Sequence, residues 1–280
     1  MRTSCRNHPW CYRHHTDPLS RRNAHTSRVE LLLAPPDIAQ RLSIGSRLDL
    51  AGLATAYGAP TDAPRWVRVN MVTTLDGAAT GADGVTGSIN SPADKIVFDL
   101  LRALSDVVVI GAGTARTEGY GPLTLDPPYA ALRADRGGTP SLPLALVTRS
   151  GDLPERLRHN GTGQVLAITS AACPGLDRLH RDLGQGNVII AGDADVDLPS
   201  AVDALVGRGF RRIHSEGGPT LLGQLLQDGL VDELCLTVAP SVVGGRHARI
   251  VDAADLRVSA RPHVLVHADG DLIGRWLVDR

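Results

Sequence analysis

Aromatic residues make up only 3% of the 280-residue chain, so its interior has to be filled with Val, Leu, Ile and Ala rather than with stacked rings. Lysine is nearly absent: Lys95 is the only one, and arginine carries the rest of the positive charge. Lys95 sits in a polar helix turn, which removes a lysine Schiff base from the expected chemistry. No charge of one sign dominates either. The 29 basic and 30 acidic side chains leave a formal charge of −1, without the basic surplus that a phosphate backbone requires, so nucleic acid is not an expected partner. No apolar run could span a bilayer and no signal-peptide core is visible, so no membrane partner is expected. Cys5, Cys11, Cys173 and Cys235 form neither a CxxC pair nor a disulfide framework, which suits a reducing cytoplasm. Also missing are a Gly-x-Ser-x-Gly elbow, a P-loop and an HExxH pair.

What is present is 42% hydrophobic and 21% charged, ordinary values for a globular protein. Residues 1–28 hold six arginines, four histidines and one acid, Asp17, with no hydrophobic period, and read as a disordered tail. Cys5, His8, Cys11, His14 and His15 match no common zinc spacing, so no metal is expected. Residues 29–64 read as a lead-in with some helix, packed on the edge of one catalytic domain over 65–280. Residues 66–73 alternate β-branched and polar side chains, as a strand does. Ser91-Pro92 opens a helix with Ser as N-cap, Pro at the first helical position and Asp94 in the first turn. Residues 106–110 form a continuous apolar run, the mark of a strand buried on both faces. Further strands are expected at 144–148, 165–169, 188–191, 212–215 and 234–238, with helices at 198–208 and 219–227. Residues 263–267 and 272–278 flank Asp269-Gly270 and read as a terminal hairpin. Alternating strands and helices predict an α/β fold of three layers with a mostly parallel central sheet and a C-terminal antiparallel hairpin.

Two glycine turns point to ligand binding. Gly111-Ala112-Gly113-Thr114 follows a buried strand and lets a ligand approach the backbone. It is not a dinucleotide fingerprint, because Arg116 replaces the third glycine and the following residues are too rich in turns for the long helix that motif needs. A tight turn without a ligand is the bland alternative. Glu216-Gly217-Gly218-Pro219-Thr220-Leu221-Leu222 joins a buried strand to a helix, whose free N–H groups and dipole suit a pyrophosphate. Glu216 stands at the carboxyl end of its strand, where α/β sheets bind ligands; alone it could also be an ordinary surface acid. Thr73-Thr74-Leu75-Asp76-Gly77 ends the first strand in a common turn pair.

In order and spacing these segments resemble the reductase domain of bacterial riboflavin biosynthesis. The similar pieces are Thr74-Leu75-Asp76-Gly77, Ile89-Asn90-Ser91-Pro92, Leu100-Leu101-Arg102-Ala103, Gly111-Ala112-Gly113-Thr114, Glu216-Gly217-Gly218-Pro219-Thr220-Leu221, Leu230-Val231-Asp232-Glu233-Leu234 and Ala239-Pro240-Ser241-Val242-Val243-Gly244-Gly245. The resemblance covers roughly residues 65–280 and implies a dihydrofolate-reductase-like fold, a homodimer and NADPH as cofactor. It assigns Thr73, Ser88, Thr114, Glu118, Ser150 and the run 218–224, with Gly218, Pro219, Thr220, Leu221 and Leu222, to the cofactor, and Gly111, Gly113 and Gly217 of the two glycine turns are expected beside them. It assigns Thr86, Arg102 and Glu216 to the substrate. Glu216 and Asp76 are the catalytic candidates, Asp76 more readily in a structural role. Arg149, beside Ser150, is the expected cation for the cofactor's 2′-phosphate. The reaction implied is reduction of 5-amino-6-(5-phosphoribosylamino)uracil at sugar C1′.

The chain departs from that pattern in two places. The family often carries an arginine for the substrate phosphate where Asp126 stands, unless Arg102, Arg116 or Arg133 substitutes. The His-x-Glu and PCxxC metal signature of the partner deaminase domain is absent from residues 1–64, so a stand-alone reductase is expected. Reduction of another pterin or pyrimidine, dihydrofolate included, and non-catalytic NADPH binding are the alternative readings.

Overall fold

The computed structural model describes residues 28–139, 141–158 and 164–279. The expected N-terminal tail, with Cys5 and Cys11, lies almost wholly outside the described residues. The lead-in forms β1 (Val29–Leu33), the short α1 (Pro36–Ala39), β2 (Arg47–Leu48) and α2 (Leu50–Ala56). The sequence reading has helix here but not the strands: a run as short as Leu31-Leu32-Leu33 gives no period to distinguish strand from helix. Next come β3 (Trp66–Thr74), α3 (Pro92–Ala103), β4 (Val107–Gly111), α4 (Ala112–Thr117), α5 (Pro127–Asp135), β5 (Leu144–Val147), β6 (Val165–Thr169) and α6 (Leu176–Leu183). The chain closes with β7 (Val188–Ile190), α7 (Leu198–Gly207), β8 (Arg212–Ser215), α8 (Pro219–Gln227), β9 (Glu233–Ala239), β10 (Ala260–Ala268) and β11 (Asp271–Val278).

The strands make one sheet in the order β2-β1-β10-β11-β9-β3-β8-β4-β5-β6-β7. It is parallel from β9 through β7 and antiparallel from β2 to β9. The α/β architecture, with a mostly parallel centre and a C-terminal hairpin, is the one indicated by the sequence. At the hairpin tip Asp269 and Gly270 both have positive φ, 52° and 100°, the conformation that matches strand twist in a two-residue turn.

Alternation along the buried strands loads both faces with aliphatic side chains. Val107 and Val109 pack with Leu221, Leu222 and Leu225 of α8 and with Leu205 of α7. Val108 and Ile110 pack on the opposite face with Leu146, Leu157 and Leu179. Under the antiparallel half, Leu100 and Leu101 of α3 meet Val264, Val266 and Ile273. Complete burial of each such side chain stabilises by roughly 1.5–3 kcal/mol.

The polar positions of β3 do not face water, as alternation ordinarily implies. Arg68 is buried, with its Nε 2.6 Å from Glu233 Oε1. Arg275 Nε lies 3.0 Å from Glu233 Oε2, and Trp66 Nε1 donates to the same oxygen at 2.8 Å. The guanidiniums also donate to the carbonyls of Tyr57 and Ala56, so one carboxylate ties β3, β9 and β11 to the lead-in. Burial works against ionisation of Glu233, but Arg68 and Arg275 win and hold its pKa at about 2.

Glu233→Gln leaves two buried guanidiniums without their anion, so equilibrium urea unfolding should report a loss of about 3–5 kcal/mol. The folded pKa lies below the ordinary value of 4.5. The linked stability is therefore complete above that value and lost as pH falls toward about 2. The variant should show a flatter acid limb; an unchanged limb would assign acid sensitivity to other groups.

Candidate functional site

The two glycine turns, about a hundred residues apart in sequence, meet at the carboxyl ends of adjacent parallel strands. Val107, Val108 and Val109 of β4 pair with Ile213, His214 and Ser215 of β8. Asp106 fastens the lower end, accepting from the N–H groups of Arg211 and Arg212 at 2.8 and 2.7 Å. At the upper end Glu216 N–H donates to Val109 O at 3.0 Å, and Gly111 N–H to Gly217 O at 2.9 Å. Gly217 has φ +83°, and a Cβ on Gly218 would overlap Thr114 Oγ1. The second turn therefore needs its glycines to seat against the first. Two cavities flank the junction, of about 430 and 350 Å³, and Gly113, Thr114, Gly218 and Pro219 line both.

The 430 Å³ cavity is also lined by Gly111, Arg149, Ser150, Thr220 and Leu221. Here α8 begins, with Gly218 as an N-cap that supplies no side-chain bond. The N–H groups of its first turn have no intrahelical partner and face the positive end of the dipole. Arg149 is 74% exposed and lies 3.8 Å from Asp195. An extended anion such as a dinucleotide pyrophosphate fits this glycine cradle, which a Cβ at Gly218 would obstruct. Gly217 supplies the backbone bend, and Leu222 belongs to the core instead.

The 350 Å³ cavity is lined by Thr86, Glu118 and Glu216, together with Asn70, Asn90, Asp94 and Tyr120. Glu216 accepts two bonds from Arg102, at 2.6 Å from Nε and 2.9 Å from Nη2, and a third from Tyr120 OH at 2.7 Å. Burial opposes its charge, yet Arg102 lowers its pKa below the usual glutamate value, so it stays ionised. Behind it, burial lowers the pKa of His214 to about 4, so that imidazole is neutral near pH 7. Thr86 Oγ1 donates to Glu118 Oε1 at 2.9 Å.

Other expected site residues lie outside these two cavities. Thr73 Oγ1 bonds to the Ala78 carbonyl at 3.2 Å, and Ser88 is exposed, with its hydroxyl on Asp83. Asp76 is exposed and accepts from the N–H groups of Val243 and Gly244. Those bonds and the Thr74 hydroxyl hold its pKa at about 2, and they make it a brace between two loops. Arg102 reaches Glu216 from a third cavity of about 340 Å³, whose walls include Lys95, Asp99, Asp126 and Arg156. Of the suggested stand-ins for a phosphate-binding arginine, Arg133 is buried and donates to the Ser105 and Thr139 carbonyls. Arg116 donates to the Asp152 carbonyl. Arg156, which sequence reasoning did not single out, lines the third cavity.

Asn70, Asn90, Asp94, Tyr120 and His214 were also missed. A polar side chain in an expected buried strand was the available signal for His214, whereas Asn70 stood at a polar position of an alternating strand and gave none. Asp94 resembled an ordinary first-turn acid.

The RibD C-terminal domain family matches residues 65–270. The 2,5-diamino-6-ribosylamino-4(3H)-pyrimidinone 5′-phosphate reductase of Methanothermobacter thermautotrophicus is 30% identical over 186 residues, 66% of this chain and 82% of that protein. The reductase of the same name from Archaeoglobus fulgidus is 28% identical over 189 residues, 66% of this chain and 85% of that protein. Among solved structures, a pyrimidine reductase-like protein from Corynebacterium diphtheriae superposes with a TM-score of 0.73 at 27% identity, covering 81% of this chain and 98% of that one.

Gly218→Ala should force Thr114 off its position and cost about 1–3 kcal/mol in urea unfolding, the usual cost of overpacking. Adding Thr114→Ala should recover most of the loss. Full stability in the single variant would show that the two turns do not constrain each other.

Proposed function

The chain belongs to the RibD C-terminal domain family, and on that premise we propose that it is an NADPH-dependent reductase of a ribosylaminopyrimidine 5′-phosphate in riboflavin biosynthesis. One observation carries the reading: the Gly111–Gly217 contact joins an anion cradle to a polar pocket across a shared wall. A dinucleotide and a small substrate can then share one crevice, as hydride transfer requires.

The chemistry needs an open sugar. The C1′–O4′ bond breaks, O4′ takes the proton of the ring-linked nitrogen, and an imine forms at C1′. Bound NADPH would supply the hydride for C1′, and the nitrogen would take a proton from solvent. The protein's part is to bind, orient and polarise. Gly111, Gly113, Thr114 and the start of α8 would hold the cofactor phosphates, with Ser150 and Arg149 farther along the same cavity. Glu216, held ionised by Arg102 and Tyr120, would accept substrate N–H or O–H donors and stabilise positive charge developing at the imine. Arg156 in the third cavity is the cation that would meet a phosphate; Lys95 of the same cavity is paired with Asp99 at 2.5 Å. The pyrimidine expected from the sequence is 5-amino-6-(5-phosphoribosylamino)uracil; the archaeal relatives' names point to its 2-amino counterpart.

Asp99 and Asp126 in that third cavity favour a second reading, reduction of a substrate without a phosphate, such as dihydrofolate. Following NADPH consumption with each pyrimidine phosphate and with dihydrofolate separates the two. The first reading expects turnover of a pyrimidine phosphate, reduced at least about tenfold by Glu216→Gln, the scale set by losing a hydrogen bond to a charged group. Turnover of dihydrofolate alone would establish the second. For the cofactor, Arg149→Ala should raise KM for NADPH several-fold and leave KM for NADH nearly unchanged. Equal losses with both cofactors would remove Arg149 from the 2′-phosphate.

A further inference from the structure

We propose that Asp252 is a latch on the first turn of α8 that a cofactor phosphate releases, so that loading of the dinucleotide loosens one wall of the smaller cavity. The inference rests on the reductase reading above and adds a moving part to it.

The latch sits in the long connection between β9 and β10, residues 240–259, which forms neither helix nor strand. Its first part is tied to the turn after β3. Leu75 N–H donates to Ser241 O at 2.9 Å, and the N–H groups of Val243 and Gly244 donate to Asp76. Gly244 and Gly245 follow, with φ of 69° and 75°. Ala79 N–H then donates to Ala248 O at 2.8 Å, and Ala248 is part of the wall of the 350 Å³ cavity. A little farther on the same strap reaches α8. Asp252 N–H donates to Pro219 O at 3.1 Å, and Thr220 Oγ1 donates to Asp252 Oδ2 at 3.1 Å. The strap is seated closely here, since a Cβ on Gly223 would fall 2.5 Å from Asp252 O. One segment thus connects the smaller cavity to the helix start, where Pro219 and Thr220 line the 430 Å³ cavity.

Thr220 is where two demands conflict. A hydroxyl has one proton to donate, and in the free protein Asp252 takes it. A phosphate seated on the first turn of α8 needs donors from that same turn. It would compete with Asp252 for the Thr220 proton and bring a second negative charge to the helix start. Until then the Asp252 carboxylate occupies the side of a turn whose dipole favours an anion; afterwards it loses both the bond and the favourable field. The strap should yield rather than the helix. Leu221, Leu222 and Leu225 fix α8 in the core, whereas Asp252 and Ala253 are exposed. Val251 packs partly on the same core, so the strap is loosened and not detached. The Gly244-Gly245 pair supplies backbone freedom for the shift, and Asp76 holds the end beyond it.

Hydrogen exchange read by mass spectrometry on the full chain, with and without saturating NADP⁺, tests the latch directly. Peptides covering 111–114 and 217–224 should be protected by the ligand. The amides of Ala79 and Asp252, whose bonds hold the strap down, should instead exchange several-fold faster. Titration calorimetry with NADP⁺ gives the second reading. Asp252→Ala frees the Thr220 proton and removes the competing charge, so it should bind NADP⁺ roughly 3- to 10-fold more tightly, the scale of one hydrogen bond. Its strap should exchange as fast without the ligand as with it. General damage to the fold would weaken binding, not tighten it. The wild-type exchange measurement needs no variant, so the test stands if Asp252→Ala does not fold. Slower or unchanged exchange at Ala79 and Asp252 on binding, or a variant that binds NADP⁺ no more tightly than the wild type, would overturn the latch and leave the reductase reading in place. Absence of NADP⁺ binding by the wild type would overturn that reading and the latch with it.

Discussion

The ligand edge depends on β8 lying directly against β4, with Gly111 N–H bonded to Gly217 O at the top of the pair. Parallel neighbours end on the same side of a sheet, so two turns distant in sequence are delivered to one place. The junction is too close for a side chain on the second turn, where a Cβ at Gly218 would overlap Thr114 Oγ1, whereas one at Gly111 would meet only ordinary contacts. Move β8 one strand away and the cradle at α8 would separate from Thr114, leaving two shallow turns instead of a shared crevice.

Three buried carboxylates in this chain show how differently one group can be used. Glu233 is compensated by two guanidiniums and lines none of the three cavities described, and its work is to hold strands together. Glu216 is compensated by one guanidinium and a phenol, and keeps a side toward the smaller cavity. Asp94 accepts a bond from the Thr237 hydroxyl and has no guanidinium against it among the described residues. Charge compensation falls across the series, so the least neutralised carboxylate is the one with most to gain from a ligand.

Much of the architecture was legible because the signals were local. The apolar run before Gly111, the Ser91-Pro92 helix start and the Asp269-Gly270 tip each specify their own geometry. The glycine turns could be recognised as ligand-binding shapes, and their meeting followed from strand order. What stayed hidden depends on partners distant in sequence. Arg68 and Asn70 look like the solvated face of a strand until Glu233 and the Tyr57 carbonyl engage Arg68 and the smaller cavity encloses Asn70. Asp94 acquires its character only from Thr237 and Asp271, more than a hundred residues later. Residues 29–48 lacked a period long enough to read as strand.

The guanidiniums of Arg68 and Arg275 donate to the carbonyls of Tyr57 and Ala56, at the end of α2. This gives the segment before Trp66 a share in the sheet's internal charge balance. Peeling it away would strip donors' partners from two buried cations and bare the flank of β10. The segment and the sheet should therefore come apart together, in one cooperative event, so that the crevice draws part of its rigidity from a region that never approaches a ligand.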